Sequence, residues 1–210
     1  MKAIHFMHVA VLSSALWLAG EAAAQEFSAD VVVHDSTGRI LKSKMYMGHG
    51  KVRVEDREDS AGMNPNDSSI VILDLARRVG YVLIPAKKTY TEQTSARLRQ
   101  SFAEFQVSGD PCALDPPGAA VPKCAKLGSE VVNGRTTDKW EITANLRGQA
   151  IKSHVWIDTH FHVPIKSEIA GTGSELQNLQ EGSQPAGLFE TPADYHKMDT
   201  RDMLRSSPAK

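Results

Sequence analysis

The chain has 210 residues, of which 24 are Lys or Arg and 25 are Asp or Glu, so its formal net charge at pH 7 is −1. This balance provides no long-range pull toward nucleic acid or an anionic membrane surface, and neither is expected as a partner. The length suffices for one well-buried domain and is short for two.

The first 24 residues have the pattern of a secretory signal peptide. Lys2 supplies the positive start, residues 6–18 the apolar middle, and residues 22–24 a small-residue cleavage site. The apolar run is much shorter than the ~20 residues that span a bilayer. We therefore expect a periplasmic protein that does not span the membrane, with residues 25–210 forming one domain.

Two cysteines, Cys112 and Cys124, lie in the exported part of the chain. Their compartment is oxidising and they show no C-x-x-C spacing, so a disulfide is the default interpretation. The surrounding insert, residues 106–126, is rich in proline, which disfavours regular structure. We predict that it forms a stapled flap.

Alternation and turn residues predict strands at 27–34, 39–48 and 51–55, followed by a polar loop at 56–68. Next comes a central hairpin, formed by two apolar runs at residues 70–75 and 79–84. Both runs are nearly continuous rather than alternating, which predicts that both faces of the sheet are covered there.

Residues 92–105 carry Leu98, Phe102 and Phe105 on one helical stripe, which predicts an amphipathic helix lying on the sheet. Farther along, Asn133-Gly134 supplies the two positive φ angles of a type I′ hairpin turn. Up to ten predicted strands with one predicted helix indicate an antiparallel α+β fold. The strands predicted in this second half are residues 127–132, 135–144, 149–157, 164–170 and 174–181.

Four segments together resemble the LolA/LolB-like superfamily of periplasmic lipoprotein carriers, and most closely its small exported relatives of the DUF4412 type. Trp-Ile-Asp at 156–158, followed by Pro164, is the most specific element. The segments are GKVRVE (50–55), LDLARRVGYVLIPAKKTYTE (73–92), VWIDTHFHVPIKSE (155–168) and LFETPADYHKM (188–198).

The resemblance implies a strongly curved antiparallel sheet, an incomplete β-barrel, with one or two helices covering its concave face. In the carriers, the cavity between sheet and helix holds acyl chains. The predicted helix at 92–105 and the stapled flap would then act as a lid over an apolar ligand.

A histidine-rich cluster, His154, Asp158, His160 and His162, has residue types that bind Zn or Cu. However, most of it falls in a predicted turn, where strand alternation does not hold. The resemblance also implies a positive φ at His162, because the LolA/LolB-like pattern usually has a turn glycine at this position. A solvated hairpin tip is therefore the favoured interpretation, and a metal site is a remote alternative. The sequence also lacks the usual nucleophile and metalloprotease motifs, so we expect neither an enzyme nor a cofactor.

Three hypotheses remain open. The first is a soluble periplasmic protein that binds a lipid, an acyl chain or a lipoprotein anchor. The second is a protein-interaction or envelope-stress module that engages an envelope protein through its sheet edges or polar loop. The third is metal binding. The residues predicted to line the cavity or lid are Met45, Met47, Val71, Leu73, Tyr81, Leu83, Leu98, Phe102, Trp140, Trp156 and Phe189.

Overall fold

The computed structural model describes residues 26–56, 68–93, 111, 122–146 and 149–199, which form one twelve-stranded sheet. Two 3₁₀ turns accompany the strands. The elements are β1 (Phe27–His34), β2 (Ile40–Gly48), β3 (Lys51–Asp56), β4 (Ile70–Asp74), β5 (Val79–Ile84), a 3₁₀ turn (Pro85–Lys87), β6 (Thr89–Gln93), β7 (Lys123–Val132), β8 (Arg135–Leu146), β9 (Gln149–Asp158), β10 (Pro164–Ile169), β11 (Thr172–Glu181), a 3₁₀ turn (Ala186–Phe189) and β12 (His196–Lys197).

The strand order across the sheet is β12-β6-β5-β4-β3-β2-β1-β11-β10-β9-β8-β7. Strands β1 to β6 form one meander and β7 to β11 a second. The two meanders join where β1 pairs antiparallel with β11. The short strand β12 pairs parallel with β6, and the other neighbouring strands are antiparallel. Short turns between neighbours account for this pattern, because antiparallel strands need only a hairpin connection.

The turn predictions are confirmed. Asn133 and Gly134 have φ angles of 50° and 78°, as a type I′ turn between β7 and β8 requires. His162 has a φ of 56°, so this residue takes the left-handed conformation expected in the turn between β9 and β10. The predicted pairing of β9 with β10 through that turn is also present.

The predicted α+β class is wrong. The described residues contain no α-helix, and they form an open sheet rather than a sheet covered by helices. The predicted helix at 92–105 fails at its first two residues, since Glu92 and Gln93 belong to β6 and pair with β5. Thr89 and Thr91 favour a strand, and the β5 edge supplies ladder partners that an isolated helical turn lacks.

Several predictions fall outside the described residues. They include the signal peptide, the rest of the predicted helix and most of the cysteine-bearing insert. Cys124 lies on β7, whereas Cys112 is outside the described part of the chain, so the disulfide stays a prediction. Among the described residues, no helix has the length and apolar character needed to cross a membrane.

One face of the sheet, termed the apolar face, carries the main hydrophobic cluster. Side chains alternate along a strand, so β1 to β4 contribute alternate residues to it. The aromatic ring of Phe161, in the β9–β10 turn, lies 4.7 Å from that of Phe27 on β1. The cluster consists of Phe27, Ala29, Met45, Met47, Val52, Leu73, Phe161, Val163, Ile165 and Leu176.

The β4–β5 hairpin buries apolar side chains on both faces, as its continuous apolar runs predicted. Leu73 is buried on the apolar face, and Ile72 and Leu83 are buried on the opposite face. The chain after β11 lies along the opposite face, where Arg53 Nη1 donates a hydrogen bond of 2.7 Å to the carbonyl oxygen of Leu188. This C-terminal segment therefore packs against β3, next to the hairpin on the opposite face.

The second meander curls back strongly onto β11. In a flat sheet the β7–β8 turn would lie roughly 14 Å or more from β11, because three strand spacings of about 4.8 Å separate β8 from β11. Yet the short side chain of Asn133, in this turn, donates to the carbonyl oxygen of Leu176 on β11 at 2.8 Å. That carbonyl is available because the β10–β11 ladder begins only at the pair Lys166 and Glu175.

An ion pair between Arg135 and Asp158 holds the curled part together. The Arg135 guanidinium donates to the carboxylate of Asp158, whose side chain is 1% exposed, and also to Glu181 on β11 at 2.7 Å. The backbone N–H groups of His160 and Phe161 donate to Asp158 Oδ1 at 2.8 and 2.7 Å. Burial raises the pKa of Asp158, but these donors outweigh it and the pKa lies below its usual value.

We expect Asp158→Ala to lower the free energy of unfolding by about 3–5 kcal/mol, because it leaves the Arg135 charge partly buried without its main partner. The matched control is Asp138→Ala on β8, which removes a more exposed pair with Lys126 and should cost about 1 kcal/mol or less. Urea unfolding of both variants measures the difference. Equal losses would contradict a central role for the Arg135–Asp158 pair.

The lowered pKa of Asp158 also predicts an acid-sensitive stability. An unfolded Asp titrates near pH ~3.9, and the folded group titrates lower. The stabilisation is therefore fully present above about pH 5 and is lost as the pH falls through the folded pKa. Unfolding measured between pH 7 and pH 2 should show a smaller acid-induced loss in Asp158→Ala than in the native protein. Superimposable pH profiles would refute this assignment.

Candidate functional site

The centre of the apolar face is built from three neighbouring strands in register. Met45 and Met47 on β2 pair with Val54 and Val52 on β3. Those valines pair in turn with Val71 and Leu73 on β4. Paired residues lie on the same face of a sheet, so these six side chains form one continuous apolar surface.

Part of this surface extends beyond the closed cluster. Val54, Val71 and Val82 form a cross-strand row over β3, β4 and β5, and each remains partly exposed. By contrast, Met45 and Leu73 are only 2% and 3% exposed. The row therefore presents apolar surface at the rim of the core. We refer to Val54, Val71 and Val82 as the valine row.

The structure brings five of the predicted site residues to the apolar face. Four of them, Met45, Met47, Val71 and Leu73, lie together at the centre. The fifth, Trp140 on β8, reaches the same face through the register of the second meander. The pairs that establish this are Trp140 with Val155, Val155 with Ser167, Ser167 with Ser174, and Ser174 with Val33.

Four other predicted residues lie on the opposite face. Tyr81 and Leu83 pair with Ile72 and Ile70 there. Phe189 is buried in the C-terminal segment, where its carbonyl oxygen accepts a hydrogen bond from Lys51. A continuous apolar run does not reveal which of its residues lie on which face of the sheet. The predicted set therefore included residues from both faces. Leu98 and Phe102 lie outside the described residues.

Trp156, the fourth residue, is enclosed by charged side chains on the opposite face. The amines of Lys139 and Lys166 lie 4.5 and 4.8 Å from its ring centroid. Its Nε1–H donates to the carboxylate of Glu130, and this hydrogen bond, assisted by Lys139, lowers the pKa of Glu130. Its pairing with Lys139 and Lys166 places Trp156 on the opposite face, where its ring and its polar atom are both occupied.

Sequence reasoning missed several residues of the apolar face. Val54 alternates with charged residues on β3, so its face was visible in the sequence, but nothing linked it to Val71 before the register was known. Phe161 lies in a turn, where alternation gives no guidance. The Arg135–Asp158 pair had no local signal, because its partners are on different strands.

The predicted histidine cluster does not converge. His154 Nε2 lies 3.6 Å from Glu141 Oε2, while both oxygens of Asp158 accept hydrogen bonds from Arg135 or from backbone N–H groups. Within the described residues, which include all four members, no group of three or more His, Cys, Asp or Glu side chains is placed to hold a metal ion. The remote metal alternative therefore loses its geometric basis.

A polar depression of about 510 Å³ lies at the β10–β11 hairpin, away from the valine row. Its lining includes Lys152 and His154 from β9 together with Lys166 and Glu168 from β10. Two of these charges are already paired, since Lys166 Nζ lies 2.8 Å from Glu168 Oε1. This depression is chemically unlike a site for an apolar ligand.

No protein-family model matches the chain, and no curated protein sequence matches it. The chain does match solved structures. MucB in complex with MucA(peri) matches at 16% identity over 81% of this chain and 55% of that chain, with a TM-score of 0.47. A PNGF-II structure matches at 8% identity over 87% and 33%, with a TM-score of 0.51.

A LolA superfamily protein from Nitrosomonas europaea matches at 12% identity over 80% of this chain and 90% of that chain, with a TM-score of 0.35. The chain thus spans about half of the MucB chain and a third of the PNGF-II chain. At these identities the comparisons concern the fold alone. The resemblance of the sequence motifs to the LolA/LolB-like superfamily therefore stays a prediction, and so does the finer link to DUF4412-type proteins.

Proposed function

We propose that this chain is an exported, non-enzymatic protein that binds an apolar ligand on the apolar face of its sheet. The ligand class is a lipid, a fatty acyl chain or the acyl anchor of a lipoprotein. The observation that carries the proposal is the valine row, which continues the buried apolar surface of Met45 and Leu73 into a partly exposed position.

Elementary energetics favour an acyl chain over a polar ligand at this place. Each methylene group removed from water contributes about 0.8 kcal/mol, so a chain laid along the valine row gains affinity without polar contacts. Met45 and Met47 lie next to the row, and their unbranched thioethers repack easily around chains of different shape. Together these features suit a site that accepts a variable apolar ligand.

The expected compartment agrees with this role. The predicted signal peptide at residues 1–24 would export the chain, and its net charge of −1 favours neither nucleic acid nor anionic lipid surfaces. A carrier or binding protein in the periplasm meets acyl chains of lipids and lipoproteins. The compartment is part of the proposal and depends on that signal peptide.

The direct test is native mass spectrometry of mature protein isolated from the periplasm without detergent, followed by solvent extraction and lipid analysis. We expect a co-purifying acyl species. A ligand-free mass, together with no binding when the protein is offered dodecanoate or phospholipid, would overturn the proposal.

A pair of adjacent substitutions locates the site. Val71→Glu places a carboxylate on the apolar face, and we expect it to weaken acyl binding about tenfold or more, because a charge against a buried chain is costly to desolvate. Ile70→Glu is the control, since the preceding residue is also partly exposed but lies on the opposite face. Fluorescent fatty-acid titration measures binding, and thermal unfolding confirms that both variants fold. Equal binding by the two variants would place the ligand elsewhere.

A second candidate function, binding of an envelope protein, is favoured by a different observation. Strand β7 ends the strand order of the described residues, and its side chains Leu127 and Val131 are 53% and 69% exposed. An extended partner segment can add to such an edge through backbone hydrogen bonds. In that case Val131→Pro, which removes a backbone donor, should abolish capture of the partner while acyl binding persists. If Val131→Pro keeps the partner, the edge is not the contact.

A further inference from the structure

The indole of Trp140 has an unusual environment. Its Nε1 atom is buried and has no hydrogen-bond partner, and it is the one such side-chain atom among the described residues. The side chain lies on the apolar face, between Lys126 of β7 and Val155 of β9 at the paired positions. Neither neighbour offers an acceptor, because Val155 is apolar and the ammonium of Lys126 donates to Asp138.

An unpaired buried donor is destabilising, and native proteins contain few of them. The other tryptophan of the described residues shows that this sheet is able to satisfy an indole, since Trp156 Nε1–H donates to Glu130. Other polar groups on the apolar face are also paired, such as the hydroxyls of Ser167 and Ser174, whose oxygens lie 2.8 Å apart. Trp140 is therefore an exception that calls for an acceptor from outside the described residues.

We propose that Trp140 Nε1–H donates a hydrogen bond to the carbonyl or carboxylate oxygen at the head of a bound acyl ligand. The inference rests on the proposed function and adds the polar end of the ligand to it. An indole N–H is a donor only, so it recognises a head group that accepts hydrogen bonds and gives nothing to one that only donates. Fatty acids and acyl esters share the required oxygen.

The substitution Trp140→Phe removes the donor while keeping an aromatic ring. The matched control is Trp156→Phe, the same substitution on the opposite face. Three ligands with the same chain length distinguish the head groups. Dodecanoate and monododecanoyl glycerol both carry an acceptor, whereas dodecylammonium carries donors alone. Titrations use delipidated mature protein, in which Trp140 and Trp156 are the only tryptophans if the predicted leader is removed.

We expect Trp140→Phe to weaken dodecanoate binding about tenfold and to leave dodecylammonium binding unchanged. Trp156→Phe should bind both as the native protein does. Comparison of dodecanoate with the glycerol ester shows whether a free acid or an acyl ester is preferred. In ¹H–¹⁵N spectra, addition of dodecanoate should move the Trp140 indole resonance downfield and leave that of Trp156 in place.

Three results would overturn the inference. If dodecanoate binds Trp140→Phe as tightly as the native protein and the indole resonance does not move, the hydrogen bond is absent although the proposed function stands. If Trp140→Phe weakens dodecanoate and dodecylammonium equally, the ring acts by packing and not as a donor. If none of the three ligands and no phospholipid binds the native protein, and no acyl species co-purifies with it, the proposed function fails and this inference fails with it.

Discussion

The ion pair between Arg135 and Asp158 is the contact on which the rest of the structure depends. It joins the start of β8 to the end of β9, and its third partner, Glu181, belongs to β11. Strands β8 and β11 are not neighbours in the sheet, so this network is possible only when the second meander curls. Its carboxylate also shapes the β9–β10 turn, because Asp158 accepts the backbone N–H of Phe161.

This polar network has a direct consequence for the apolar face. With the turn held by Asp158, the ring of Phe161 lies against Phe27, and the guanidinium of Arg135 covers it at 4.8 Å. A buried ion pair contributes little net stability by itself, but it specifies one arrangement of the groups around it. The cluster is thus closed at the Phe27 end, whereas the valine row at its other side is partly exposed.

The parts of the fold that depend on local sequence were predictable. The turn at Asn133-Gly134 and the strands on either side follow from φ preferences and alternation, whereas the left-handed His162 was implied by the family resemblance. Contacts between distant residues were not predictable, including the Arg135–Asp158 pair and the curl it maintains. Of the residues predicted to line a cavity, Met45 and Leu73 lie together on the apolar face. Trp156 was misplaced, because a bulky residue in a strand fits either face until its register is known.

The two faces of the second meander differ in how fully their polar groups are paired. On the opposite face, lysines and carboxylates surround Trp156 and pair with one another, which leaves its indole no capacity for a ligand. On the apolar face, Trp140 keeps an unused donor, because neither Val155 nor Lys126 beside it offers an acceptor. Selectivity on such a surface comes from few groups: apolar area supplies affinity without direction, and a single buried donor then decides which head group is accepted. A site of this kind discriminates weakly among chains and strongly among head groups.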